Sequence, residues 1–106
     1  MRPCRLRVFF DSGSGVCLWA GDAFTEDRYG LAVEAGVLPL PPDLVAETER
    51  LITLWDAGLN WDDPGGPSPW TADDERGFQV QADALLERLR AALGPGFVVV
   101  DERRWP

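Results

Sequence analysis

The feature that most limits how this chain can fold is a pair of apolar stripes at helical spacing, separated by a proline-rich break. Leu44, Thr48, Leu51, Ile52, Trp55 and Leu59 recur at three- and four-residue intervals after Pro41-Pro42. Proline suits the first position of a helix, where its missing N–H has no partner to lose, so the spacing predicts a helix over about 42–58. Phe78, Ala82, Leu85, Leu86, Leu89 and Leu93 form a second stripe. Thr71 stands before it as a cap, Asp73, Asp74 and Glu75 lie where the positive end of the helix dipole favours anions, and Gly94-Pro95 closes it. The predicted span is about 72–93. Two amphipathic helices of this kind must bury their stripes against a further layer.

The rest of the chain supplies that layer. Apolar runs at 5–10 and 16–20 flank Asp11-Ser12-Gly13-Ser14-Gly15, a turn-forming cluster, and read as a β-hairpin. Setting Phe10 against Val16 sets Val8 against Leu18 and Leu6 against Ala20, which makes one face of the hairpin wholly apolar. The opposite face then carries Arg5, Arg7, Phe9, Cys17 and Trp19, less polar than a solvated face needs. Gly96-Phe97-Val98-Val99-Val100 reads as a strand apolar on both sides and is expected inside the sheet. Between 21 and 40, Gly30, Gly36 and Pro39 break any period; a short helical turn near 23–29 and a strand near 31–34 both fit. The tail from Asp101 to Pro106 is polar apart from Trp105. At 106 residues the chain is expected to be one domain. The expected fold is α+β: a two-layer sandwich in which a small, mainly antiparallel sheet (the β-hairpin plus the C-terminal strand) carries two helices packed on one face.

Composition excludes chemistry more sharply than it suggests any. The chain has no histidine, and its ten basic residues are all arginine. Imidazole catalysis, histidine-ligated metals, Schiff-base lysines and P-loop lysines are therefore absent. Cys4 and Cys17 are too few for a disulfide scaffold and lack partners for a zinc site, so free thiols, no cofactor and no metal are expected. The adjacent acids at 62–63 and 73–75 do not follow the spacing of a calcium loop, and Gly13-Ser14-Gly15 has no helix N-terminus after it to hold a phosphate. No run approaches a membrane span and the opening residues are too short for a signal-peptide core, so a cytoplasmic location is expected.

Charge is concentrated in one region. Between Asp43 and Glu75 nine acids face Arg50 alone, while the rest of the chain balances acids against arginines and the whole carries −8. Such a field repels nucleic acid and steers a basic protein toward the helical pair; it also serves simply to keep a helical surface solvated. The loop Asn60-Trp61-Asp62-Asp63-Pro64-Gly65-Gly66-Pro67-Ser68-Pro69-Trp70 is the most distinctive segment. Its prolines stiffen it, and rigid indoles beside carboxylates suit capture of an arginine or lysine. Trp61, Asp62, Asp63, Asp56, Trp70 and Glu49 are the candidate partner-binding residues. Trp70, just before the helix cap, also suits a hydrophobic staple, and Trp61 suits either an anchor or a plug for the helical pair.

In general character the chain resembles the small acidic immunity and inhibitor proteins with which bacteria neutralise toxins. The segments that carry the resemblance are Gly15-Val16-Cys17-Leu18-Trp19, Leu38-Pro39-Leu40 and Leu59-Asn60-Trp61. It implies a non-catalytic module that binds and blocks one partner, such as a basic nuclease toxin, and it transfers no functional residue. Two alternatives stand beside it. One is a small enzyme or ligand-binding protein using carboxylates with Tyr29 or Cys17, the thiol being activated by Arg7 on the same sheet face. The other is a subunit of a larger assembly joined through the Phe9, Cys17 and Trp19 face.

Overall fold

Alternation along the first strand decides where the sheet lies. A computed structural model describes residues 2–103. Its elements in chain order are β1 (Cys4–Val8), β2 (Leu18–Ala20), α1 (Ala23–Tyr29), β3 (Ala32–Val33), α2 (Pro42–Asp56), α3 (Ala72–Leu93) and β4 (Phe97–Asp101), with 3-10 turns at Ala35–Val37 and Gly94–Gly96. In β1, Cys4, Leu6 and Val8 are buried while Arg5 and Arg7 point away from the core, the period-2 pattern of a strand with one covered face. The hairpin has the register read from the sequence, with Leu6 opposite Ala20 and Val8 opposite Leu18. Its ladder is shorter than the apolar runs, ending in the Phe9 N–H that donates to the Cys17 carbonyl at 3.1 Å.

The strand order is β3-β2-β1-β4. β1 pairs antiparallel with β2 and parallel with β4, and β2 pairs antiparallel with β3. The sheet is therefore mixed, not mainly antiparallel, and three α-helices accompany it instead of two. The third is α1, at the place where a helical turn fits, capped by the Asp22 carboxylate, which accepts the Thr25 N–H at 2.9 Å. That bond holds the Asp22 carboxyl below the usual aspartate range.

The parallel pairing follows from the path between β3 and α2. Residues 34–41 carry the chain back toward the end of the sheet where β1 starts, so α2 travels in the same direction as β1 over about 22 Å and finishes beside the hairpin turn, where Asp56 meets Gly13. α3 then returns, and β4 leaves the opposite end parallel to β1. This order puts β4 at an edge, where an interior position is expected from its apolar faces. Only Val99 of the strand is buried. Along the free edge the Arg90 guanidinium donates to the Val99 carbonyl at 2.8 and 3.2 Å, occupying a backbone acceptor that another chain would otherwise pair with.

A single core joins both long helices to one face of the sheet, through Leu6, Val8, Leu18, Val33 and Val99 with Leu44, Leu51, Phe78, Ala82, Leu85 and Leu89. The α3 stripe is the one read from the sequence, residue for residue. Thr71 accepts the Asp74 N–H at 3.1 Å and the Asp74 carboxylate accepts the Thr71 N–H at 2.8 Å, a reciprocal cap. α2 stops at Asp56, two residues before the expected end. Cys17 departs from its expected position: it is buried in the core with Val16 and Leu18 on either side, because the chain leaves the regular pleat before β2 begins. Cys4 and Cys17 are free thiols, both buried. Trp105 lies outside the described residues.

Leu51 and Leu85 are 0% and 2% exposed at the middle of their stripes. Truncating either to alanine should cost roughly 2–4 kcal/mol in a denaturant melt, a transfer loss plus an unfilled cavity. A loss below ~0.5 kcal/mol would mean that the helices do not bury these faces.

Candidate functional site: the acidic mouth of the helical pair

The loop between α2 and α3 opens at the same end of the molecule as the β-hairpin turn, and the two are bonded together. The Gly13 N–H donates to Asp56 Oδ1 at 3.0 Å, and the Trp61 indole N–H donates to the Asp56 carbonyl at 2.8 Å. Gly13 has φ +83, and a Cβ there would stand 3.4 Å from the Trp61 ring; glycine meets both the left-handed backbone and the close approach of the indole. Trp61 is thus held in place at its polar edge while 56% of it stays exposed.

Trp70 is turned the other way. Its ring lies edge-on to Trp55 (6.0 Å, 86°) and 5.4 Å from Phe78, and it packs against the core as a plug. A Cβ on Gly58 would come within 2.9 Å of that ring, so the chain turns out of α2 against the indole face. Ser68 donates to the Gly58 carbonyl at 2.5 Å and accepts the Trp70 N–H at 3.1 Å, stitching the loop across. Asn60 accepts the Asp63 N–H at 3.1 Å, and the Asp63 carbonyl accepts the Gly66 N–H at 2.8 Å. These bonds fold the Asp62-Asp63 corner back on itself and leave both carboxylates exposed.

The acids of this region separate into two groups. Asp43, Glu47 and Asp73 are paired with Arg88, Arg50 and Arg76; the Arg50 bond holds the Glu47 carboxyl below its usual range. The remaining six acids of the stretch have no ion-pair partner among the described residues: Glu49, Asp56, Asp62, Asp63, Asp74 and Glu75. All but Glu49 sit at the ends of α2 and α3 or in the loop between them. The unneutralised charge is therefore at the mouth, next to Trp61. Sequence distance concealed part of this, since Arg88 pairs with Asp43 from 45 residues away, while Arg76 stands just past the acidic stretch and cancels Asp73 within it.

Two hollows flank the hairpin turn. A cleft of about 150 Å³ is lined by Ser12, Trp55, Gly58, Leu59, Ser68, Trp70 and Glu75. A depression of about 230 Å³ lies between Gly15, Val16, Glu34, Ala35, Gly36, Glu49 and Ile52. Glu49, expected with the loop residues, belongs to the depression instead. The cleft lining was missed because Ser12 is far away in sequence and Trp55 reads simply as part of the α2 stripe.

The residues of the enzyme alternative are placed elsewhere. Burial pushes the Cys17 thiol up to about 12, which keeps it protonated at neutral pH. Arg7 is bonded to Glu102 and lies over Phe9, and Tyr29 packs 6.2 Å from Phe97. Neither Cys17 nor Tyr29 lines the cleft or the depression. Phe9 and Trp19 stack at 4.7 Å and 3° on the other face of the sheet.

Because the Trp70 ring lies on Gly58, Gly58→Ala should destabilise the protein by roughly 1–3 kcal/mol and shift the Trp70 environment in near-ultraviolet circular dichroism. An unchanged melt and spectrum would mean that the loop does not pack as described.

No curated protein matches the chain. A family model described as Serratia CdiI immunity protein-like matches residues 5–101, from the second residue of β1 to the last of β4. The resemblance to bacterial immunity proteins is borne out over nearly the whole chain. The protein with this mixed sheet and acidic helical mouth belongs to the Serratia CdiI immunity protein-like family.

Proposed function

We propose that this chain is a non-catalytic inhibitor that binds a basic toxin, of which a nuclease is the type best suited, through the mouth of the α2–α3 pair. The observation that carries the reading is the gathering of carboxylates without an ion-pair partner among the described residues (Asp56, Asp62, Asp63, Asp74 and Glu75) around the exposed, already oriented Trp61. Family membership supports a toxin as the partner. The charges support a basic surface on it and disfavour a nucleic acid in the same place.

The residues divide the work by position. Asp62 and Asp63 are exposed rim charges, which act on the rate of encounter more than on the lifetime of the complex. Trp61 is a large ring whose orientation is fixed before binding, so little side-chain entropy is lost when it is covered. Asp56 holds the hairpin turn and Trp61 together, and Trp70 seals the mouth from beneath; both support the surface from within.

The test needs the toxin that this chain binds and binding kinetics at two salt concentrations. Replacing Asp62 and Asp63 by arginine should slow association about tenfold at low salt and flatten its salt dependence. Trp61→Ala should leave association nearly unchanged and speed dissociation by about thirtyfold, equivalent to ~2 kcal/mol. Unchanged rates in both variants would remove the mouth from the interface and turn attention to the Phe9–Trp19 face.

A further inference from the structure

The cleft beside Trp61 has walls and a rim that suit one kind of side chain. Trp55 and Trp70 meet there at 86°, Gly58 lies against the Trp70 ring, and Leu59 and Ser68 complete the wall. At the rim, Glu75 Oε1 accepts from Gln79 at 3.1 Å, which leaves Oε2 without a partner among the described residues. Ser12 comes from the hairpin turn and is exposed. The volume of about 150 Å³ is of the order that holds a group the size of a benzene ring. No basic residue lines it.

We infer that this cleft receives a single arginine side chain of the toxin, with the guanidinium stacked on an indole and bonded to the Glu75 carboxylate. Arginine fits better than lysine because its planar, weakly hydrated cation stacks on aromatic faces and offers a fork of donors to a carboxylate; a lysine ammonium is compact and strongly hydrated. The surrounding field points the same way, since Asp56, Asp62, Asp63 and Asp74 leave the mouth negative with no arginine paired to them among the described residues. This inference rests on the reading of the mouth as a toxin-binding surface and adds the specificity element within it.

The direct test uses N-acetylarginine amide as the probe and the indole N–H signals of the ¹⁵N-labelled full chain as the readout. The Trp55 and Trp70 signals should move as the probe is added, with a dissociation constant on the order of 10 mM for so small a ligand, while Trp19 stays in place. N-acetylcitrulline amide, with the same shape and no charge, should move neither. Ser12→Phe should fill the cleft and abolish the response, and Glu75→Gln, an exposed isosteric change, should weaken it about three- to tenfold. Trp55 and Trp70 signals that ignore the arginine probe, or that respond equally to citrulline, would overturn the inference.

Toxin kinetics distinguish this inference from the broader reading. Faster dissociation of Ser12→Phe and Glu75→Gln supports the cleft. Wild-type dissociation of both, with association slowed in the Asp62 and Asp63 variants, overturns the cleft and leaves the acidic surface standing. Unchanged rates in every variant overturn both.

Discussion

At the mouth of the molecule four elements each contribute one aromatic ring to a common cluster. Phe78 of α3 is 1% exposed and lies 5.0 Å from Phe10 after β1, 5.1 Å from Trp55 of α2 and 5.4 Å from Trp70 of the loop. Rings of this size bury more apolar area than any other side chains and hold specific angles to one another. The hairpin, both long helices and the loop are therefore referred to one point. Around that point the Asp56 carboxylate accepts the Gly13 N–H, and the Asp56 carbonyl accepts the Trp61 indole. The exposed surface is built outward from this packed cluster, which is how a loop rich in glycine and proline presents a defined face.

Electrostatics then sorts what the cluster displays. Arg50, Arg76 and Arg88 pair with acids along the helix flanks, and exposed pairs of this kind contribute little to stability. Their larger effect is on the field: charge is cancelled on the flanks and left at the mouth. Where β4 ends beside Val8, Arg103 is bonded to Asp101 and Asp83 and holds the Asp101 carboxyl below its usual range. Among the described residues, the acids of the α2–α3 loop and of the helix ends beside it are left without an arginine partner.

The parts legible in the sequence were those governed by local rules. The α3 stripe, its Thr71 cap and the Leu6–Ala20 register follow from side-chain period and backbone capping, which neighbouring residues decide. The parallel placement of β4 was hidden because it depends on residues 34–41 returning the chain across the molecule, a tertiary path with no periodic signal. Apolarity on both faces of Val98–Val100 suggested an interior strand; half-burial at an edge closed by Arg90 produces the same composition. In the site, Trp61 beside exposed carboxylates could be read from the loop; Trp70 packs on Trp55 and Phe78 as a plug of the helical pair, and the first-turn position that a staple would need is Glu75. Ser12 and Glu75 could not be joined in advance, since only the docking of the hairpin turn on α2 brings them to one cleft. Glu49 lies on the other side of that turn, in the depression with Glu34.

If the surface organised by the aromatic cluster is the one that meets the toxin, amide hydrogen exchange of the full chain with and without the toxin will register it. Slowed exchange on binding should concentrate in the hairpin turn at 11–15, the end of α2 and loop at 55–70, and the first turn of α3, with the outward sheet face unchanged. Protection confined to the strands that carry Phe9, Trp19, Val98 and Val100, with the mouth exchanging as in the free protein, would contradict it.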